Sequence, residues 1–385
     1  MPEDWQKGGF GLYVHWPYCT SKCPYCDFNS HVAGNIDQHI WAGAYTDALA
    51  LYALETPGRV LNSIYFGGGT PSLMHPELVE TIIDAARSHW AFSNTIEITL
   101  EANPGSVEAR RFAAYRLAGI NRVSLGIQAL NDHDLRRLGR THTAKEALTA
   151  LDIARNNFDR TSFDLIYARQ DQSLPDWEAE LTRALDLQPE HLSLYQLTIE
   201  PETVFGARAR AGKLPGLPGE DLASDMFELT SFLCENNGLP LYEVSNHAVS
   251  GKESVHNMIY WQAGDYIGIG PGAHGRLTLA GRRFATETPL QPEAWLKNIA
   301  AGENGEATRQ LLGAPDQGVE YLLMGLRTKV GVSLTRLEMI GNTRLDGDRV
   351  RRLMDMGLIQ ISGDNLRVTR QGLPVLNAIL RELVP

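Results

Sequence analysis

Cysteine is scarce in this chain. Four occur in 385 residues, too few and too unevenly placed for the disulfide framework of a small secreted scaffold. Long apolar runs are lacking as well. No window approaches the ~20 apolar residues of a membrane-spanning helix, and the greasiest stretch, 41–54, contains Thr46 and Asp47. Any membrane contact is therefore expected to be peripheral. No run of Lys and Arg stands out either. With 35 basic against 46 acidic side chains and a net charge of −11, non-specific binding to nucleic acid or anionic lipid is disfavoured as a main activity. The first nine residues hold no basic segment leading into an apolar one, so a secretory signal is not expected and the cytoplasm is the expected location.

What is present is an ordinary packed composition, 43% hydrophobic and 21% charged, long enough for one large domain and a smaller one. Apolar, β-branched runs at 11–16, 63–66, 95–100, 122–128, 162–167 and 191–199 alternate with amphipathic stretches at 38–54, 76–89, 107–117, 143–156 and 176–187. Each step has the length of a right-handed crossover, which predicts parallel strands in an α/β fold. Six such units suggest a partial (β/α)6 barrel, and spacing alone leaves a doubly wound sheet open. In both, ligands and the motifs below are expected at the carboxyl ends of the strands. The barrel is expected over 1–240, with an extension over 241–313. Residues 314–385 change character, with helical patterns followed by a hairpin around Gly363-Asp-Asn365. That reads as a small winged-helix-like domain. Its Arg349, Arg351 and Arg352 are balanced by Asp346, Asp348 and Asp355, so packing or a lid is favoured over DNA binding.

Three of the cysteines crowd into Cys19-Thr-Ser-Lys-Cys23-Pro-Tyr-Cys26 directly after the first strand, while Cys234 stands alone and reads as a buried apolar residue. Three thiolates on one short loop can hold three irons of a [4Fe-4S] cubane and leave the fourth without a protein ligand. That open iron can chelate the amino and carboxylate groups of S-adenosylmethionine (SAM). The plainer alternative is a zinc site completed by His15 or His31. After the second strand comes Gly67-Gly-Gly-Thr70-Pro71, where missing Cβ atoms let backbone groups approach a ligand. No Lys-Ser/Thr follows it, as a phosphate loop would require. Glu101, Gln128 and Asp164 fall at or within the third, fourth and fifth strands, where polar side chains suit the hydroxyls and base of a nucleoside. Taken singly, each is more simply a structural polar residue.

The run from Tyr13-Val-His-Trp-Pro-Tyr-Cys19 to Cys26 resembles the opening of radical SAM proteins of the oxygen-independent coproporphyrinogen III oxidase branch, and the similarity extends over nearly the whole chain. The resemblance implies Cys19, Cys23 and Cys26 on the cluster, Gly68, Gly69 and Thr70 at the SAM amino group, and Glu101 at its ribose. It also implies that Tyr13, Gln128, Arg140 and Asp164 line the same site. Family members usually continue the fifth strand with Gly-Leu-Pro, whereas this chain has Ala168-Arg-Gln170, which predicts a differently shaped loop below the adenine.

The oxidases carry a further cysteine two positions after the third; here that position is Phe28. Residues His256-Asn-Met-Ile-Tyr260-Trp261 in turn resemble the H-N-x-x-Y-W signature of the heme chaperones, a sister group. An imidazole and a phenol can meet heme iron, and an indole offers a porphyrin a flat apolar face. His256 and Tyr260 would share a face of a helix, with His247 and His274 as further candidate ligands. The resemblance therefore predicts a protein that binds heme and passes it to membrane hemoproteins such as respiratory enzymes, and it allows a cluster-dependent homodimer. The alternative is a radical SAM enzyme acting on a tetrapyrrole.

Overall fold

The computed structural model describes residues 3–34, 36–342 and 344–384. Six strands form the frame: β1 Phe10–Trp16, β2 Val60–Gly68, β3 Ala91–Ala102, β4 Arg122–Gln128, β5 Arg160–Tyr167 and β6 His191–Gln196. They lie side by side in chain order and all parallel. A doubly wound sheet would reverse its strand order at a switch point; this one does not, so the partial (β/α)6 barrel is the observed form.

Register explains which way each strand faces. Tyr13 lies opposite Tyr65, Glu101 opposite Ser124 and Asp164 opposite Ser193. Because side chains alternate along a strand, these polar residues share one face, the inside of the barrel. The other face carries Leu12, Val14, Ile64, Phe66, Ile98, Leu100, Val123, Leu125, Phe163 and Leu165, all buried. They belong to the same core as residues of the outer helices, such as Leu78 and Ile82 of Pro76–His89 and Trp177 and Leu181 of Leu174–Asp186. Capping boxes at Thr143/Glu146 and Ser173/Asp176 start two of these helices by satisfying their first free N–H groups. The helical stretch expected at 107–117 is broken into Ser106–Ala109 and Phe112–Leu117.

The sheet continues past both edges of this frame. Asp265–Ile269 runs parallel to β1, followed outward by His274–Leu279, Arg282–Glu287 and Thr308–Leu311; Asn246–Ala248 and Leu241–Glu243 extend the β6 edge. Twelve strands result among the described residues. Asp265 is fully buried and receives Arg59 at 2.8 Å and Arg283 at 3.1 Å. A second core gathers Tyr321, Leu322, Leu326, Leu337, Leu366 and Ile379 around a three-stranded sheet of Val332–Ser333, Asn365–Val368 and Ile359–Ser362. The expected hairpin is thus joined by a third short strand and a closing helix, Leu376–Leu383. Arg336 ties this unit to the amino-terminal turn, donating to both oxygens of Asp4. No helix among the described residues is long and apolar enough to cross a membrane.

Candidate functional site at the carboxyl ends of the strands

The cysteine loop leaves β1 and is closed by a two-residue pairing of Tyr18–Cys19 with His31–Val32. It leans on the glycine loop after β2, where Gly69 N–H donates to the Trp16 carbonyl at 2.7 Å and Thr70 N–H to that of Tyr18 at 2.9 Å. Only glycine fits here: a Cβ on Gly69 would stand 2.7 Å from the Tyr18 oxygen, and one on Gly68, whose φ is +109°, would strike the His15 ring at 2.6 Å. The glycines therefore allow the two loops to touch.

Cys19, Cys23 and Cys26 are free thiols on the wall of one cavity of about 510 Å³. The Thr70 hydroxyl donates to Cys19 Sγ at 3.2 Å, and Arg140 reaches Cys23 Sγ at 3.5 Å. Burial raises the Cys19 and Cys26 thiols, opposed at Cys19 by the Thr70 bond and at Cys26 by a backbone N–H. Among the described residues no three His, Cys, Asp or Glu side chains are arranged to hold a single metal ion. A cubane makes a different demand, one thiolate for each of three irons. The histidines of the zinc alternative are engaged elsewhere: His15 bonds Tyr13 and the Asn29 carbonyl, and His31 bonds the Leu290 carbonyl.

Gly68, Gly69, Thr70, Glu101, Gln128, Arg140 and Asp164 line the same cavity as the cysteines. Burial pushes the Glu101 carboxyl up to about 7 against the bond donated by Tyr65 at 2.7 Å, and Asp164 up to about 6 against its bonds from Ser193 and Ser124. Gln128, at a φ of +71°, presents a buried Oε1 with no partner. A buried unpaired acceptor on a cavity wall is what a ligand donor would satisfy. Sulfurs with donors aimed at them, titratable carboxyls and an orphan acceptor on one wall fit a cluster with a nucleoside beside it.

Tyr13 does not reach this cavity. It lies inside the barrel, its hydroxyl 3.0 Å from His15 Nδ1, and burial raises its phenol far above the ordinary value. Ala168, Arg169 and Gln170 do not line it either; Arg169 turns away to Asp134 at 2.7 Å and Glu180 at 2.5 Å.

The 256–261 motif departs from the expectation that every motif sits at the carboxyl ends. It forms the helix Val255–Trp261, and His256 reaches Ser63 and packs beside Gly11, near the amino-terminal ends of β2 and β1. His256 is 1% exposed, with Nδ1 2.7 Å from the Ser63 hydroxyl and Nε2 2.5 Å from that of Tyr260. Neither ring nitrogen is open to an iron in this arrangement, and burial, with Arg122 adding, lowers the imidazole to about 3. The sequence spacing correctly places His256 and Tyr260 on one helix face; that face looks into the barrel. Trp261 instead borders a recess of about 300 Å³ shared with Lys7, Tyr321 and Arg336. His247 is buried on the strand Asn246–Ala248, between β6 and the edge strand Leu241–Glu243, and bonds the Leu239 carbonyl, whereas His274 is exposed beside Glu287; neither joins His256 in a hydrogen bond or ring contact among the described residues.

Sequence reasoning missed Tyr65 and Asn103. Asn103 accepts from Arg140 at 2.6 Å and donates to Thr70 at 3.4 Å, fastening the two sulfur donors to each other. Tyr65 was legible in principle: in Ser63-Ile-Tyr-Phe-Gly67 polar and apolar residues alternate, which puts it on the face of Glu101.

Residues 13–181 match the radical SAM superfamily and residues 312–375 the HemN C-terminal domain. The chain is 39% identical to the mitochondrial radical S-adenosyl methionine domain-containing protein 1 of Mus musculus, over 97% of this chain and 87% of that one. It is 38% identical to the heme chaperone HemW of Escherichia coli, over 96% of each. Its fold is similar to that of the coproporphyrinogen III oxidase HemN from Escherichia coli, a radical SAM enzyme, with a TM-score of 0.80 at 21% identity, covering 99% of this chain and 92% of that one.

Proposed function

Because the chain belongs to the radical SAM superfamily and, within it, to the family of the heme chaperone HemW, we propose that it holds a [4Fe-4S] cluster and SAM, binds heme, and passes heme to membrane hemoproteins such as respiratory enzymes. Cys19, Cys23 and Cys26 would hold the cluster, which when bound supplies an electron and an open iron for SAM. Gly68, Gly69 and Thr70 bring backbone groups and a hydroxyl to the SAM amino group. Glu101 takes the ribose hydroxyls, and Gln128 Oε1 accepts from the base. Arg140 holds Asn103 and the Gly126 carbonyl, which keeps the wall behind the ligand in place.

The observation that carries the carrier reading over the oxidase reading is Phe28. It is 59% exposed on the rim of the cavity, where the oxidases have a cysteine. Of the three motif residues expected to meet heme, Trp261 borders an opening and is the one assigned a porphyrin contact here.

The test is anaerobic reconstitution with iron and sulfide, followed by heme titration of the wild type and Trp261→Ala, read at the Soret band. Saturable binding that weakens in the variant is expected. Decarboxylation of coproporphyrinogen III by the pure, reduced protein would overturn the carrier reading in favour of the oxidase.

A further inference from the structure

The barrel interior between the sealed His256 and the cavity is filled by two tyrosines, and each connects the histidine to a different part of the site. The Tyr65 ring lies 4.9 Å from that of His256 at 22°, the Tyr13 ring 6.2 Å away at 28°, and the two tyrosines are 6.3 Å apart at 23°. From Tyr65 the hydroxyl donates to Glu101 Oε1 at 2.7 Å, on the cavity wall. From Tyr13 the hydroxyl meets His15 Nδ1 at 3.0 Å, and His15 Nε2 lies 2.8 Å from the carbonyl of Asn29, three residues past Cys26.

We propose that His256 is a positioning residue for the cluster-and-SAM site, the root of a two-armed aromatic column that sets the Glu101 carboxylate through Tyr65 and the cysteine loop through Tyr13 and His15. Its own placement is over-determined. Both ring nitrogens are bonded, and its backbone N–H donates to the buried Glu97 carboxylate at 3.2 Å. Glu97 in turn accepts from Arg160 at 2.6 Å, so the floor is anchored across the barrel.

The sequence leaves room for the column at both ends. A Cβ on Gly11 would sit 3.4 Å from His256 Nδ1 and 3.0 Å from the Ser63 hydroxyl, and a Cβ on Gly67 would sit 2.9 Å from the Tyr13 ring and 3.1 Å from that of Tyr65. A rigid ring held at one edge by a stack delivers its hydroxyl to a fixed point at the other, which is how a group remote from a ligand governs the residues that touch it. His256 does not line the cavity, so any effect it has on SAM must travel through the tyrosines.

The inference rests on the SAM site proposed above. Its test uses the anaerobically reconstituted full-length chain: SAM affinity by equilibrium dialysis, and the electron paramagnetic resonance spectrum of the reduced cluster with and without SAM. Tyr65→Phe keeps the ring and removes only the bond to Glu101, and is expected to weaken SAM binding about tenfold. His256→Ala is expected to weaken it at least as much and to alter the SAM-induced change in the spectrum, whereas His256→Phe, which restores a ring against Tyr65, recovers part of the loss. Unchanged SAM affinity in Tyr65→Phe overturns the inference whether or not His256→Ala folds. A wild type that binds no SAM overturns instead the reading on which the inference rests.

Discussion

The Arg140 guanidinium donates to the Cys23 sulfur at 3.5 Å while its other nitrogen holds the Asn103 side chain and the Gly126 carbonyl. A donor on a cluster sulfur stabilises the more negative, reduced form and so raises the reduction potential. Arg140→Met is expected to lower the potential of the reconstituted cluster by about 50 mV, close to a tenfold change in a one-electron equilibrium. Arg140→Lys, which keeps the charge but not the fork, should fall between. A redox titration followed by electron paramagnetic resonance reads this directly, and an unchanged potential in the Met variant would remove the guanidinium from the cluster's environment.

The pH dependence has a definite sign. With the Glu101 carboxyl at about 7, a ribose hydroxyl finds a full acceptor only above that pH. SAM affinity should therefore weaken about tenfold between pH 8 and pH 6. The stability of the ligand-free protein runs the other way. A buried carboxyl holds its proton more tightly than the same group in the unfolded chain, so stability contributed by Glu101 falls as pH rises from 4.5 through about 7. Asp164 adds the same trend between 3.8 and about 6. Equilibrium dialysis and thermal unfolding across pH 4–8 measure the two trends; Glu101→Gln should flatten the first and reduce the second to the part that Asp164 contributes below about 6.

Gly69 is the point where two loops touch. Gly69→Ala would push a methyl group to within 2.7 Å of the Tyr18 carbonyl, and relieving that contact costs about 1–3 kcal/mol of local distortion. The expected outcome is a folded chain that retains iron poorly on reconstitution, checked by iron and sulfide content against Gly331→Ala, whose crowded Cβ would meet Leu366 and Arg367 beside the second core.

Asp265 separates stability from the site. It is fully buried and paired with two arginines, Arg59 and Arg283, themselves 9% and 8% exposed. Asp265→Ala leaves both cations without their carboxylate and is expected to cost about 3–5 kcal/mol, visible as a lower denaturant midpoint, with SAM affinity unchanged in the variant that remains folded.

The six barrel strands were legible because each is an apolar, β-branched run, and their parallel direction followed from crossover length; their sequential order did not, since spacing alone left a doubly wound sheet open. The outer strands Asp265–Ile269 to Thr308–Leu311 were read only as an undivided extension over 241–313. They are short, mixed in polarity and paired to each other, so little in their own sequence marks them. The cysteine triplet declared itself by spacing. His256 did not: an i, i+4 pair of His and Tyr says that two side chains share a face, and only the packing of the helix against Gly11 and Ser63 says that the face is turned inward. Tyr65 was overlooked for the opposite reason, since a tyrosine inside an apolar strand reads as core unless the alternation along the strand is followed onto the face that carries Glu101.

The cysteine loop is also stitched to a distant stretch of chain: the Asn29 side-chain amide donates to the carbonyls of Pro271 and Leu290, both at 2.9 Å. A nascent chain shorter than that second residue therefore displays its three thiols on a loop that has not yet found its seat. A cluster that needs a seated loop would therefore be loaded only after the chain has been made past Leu290 and has folded back on its beginning.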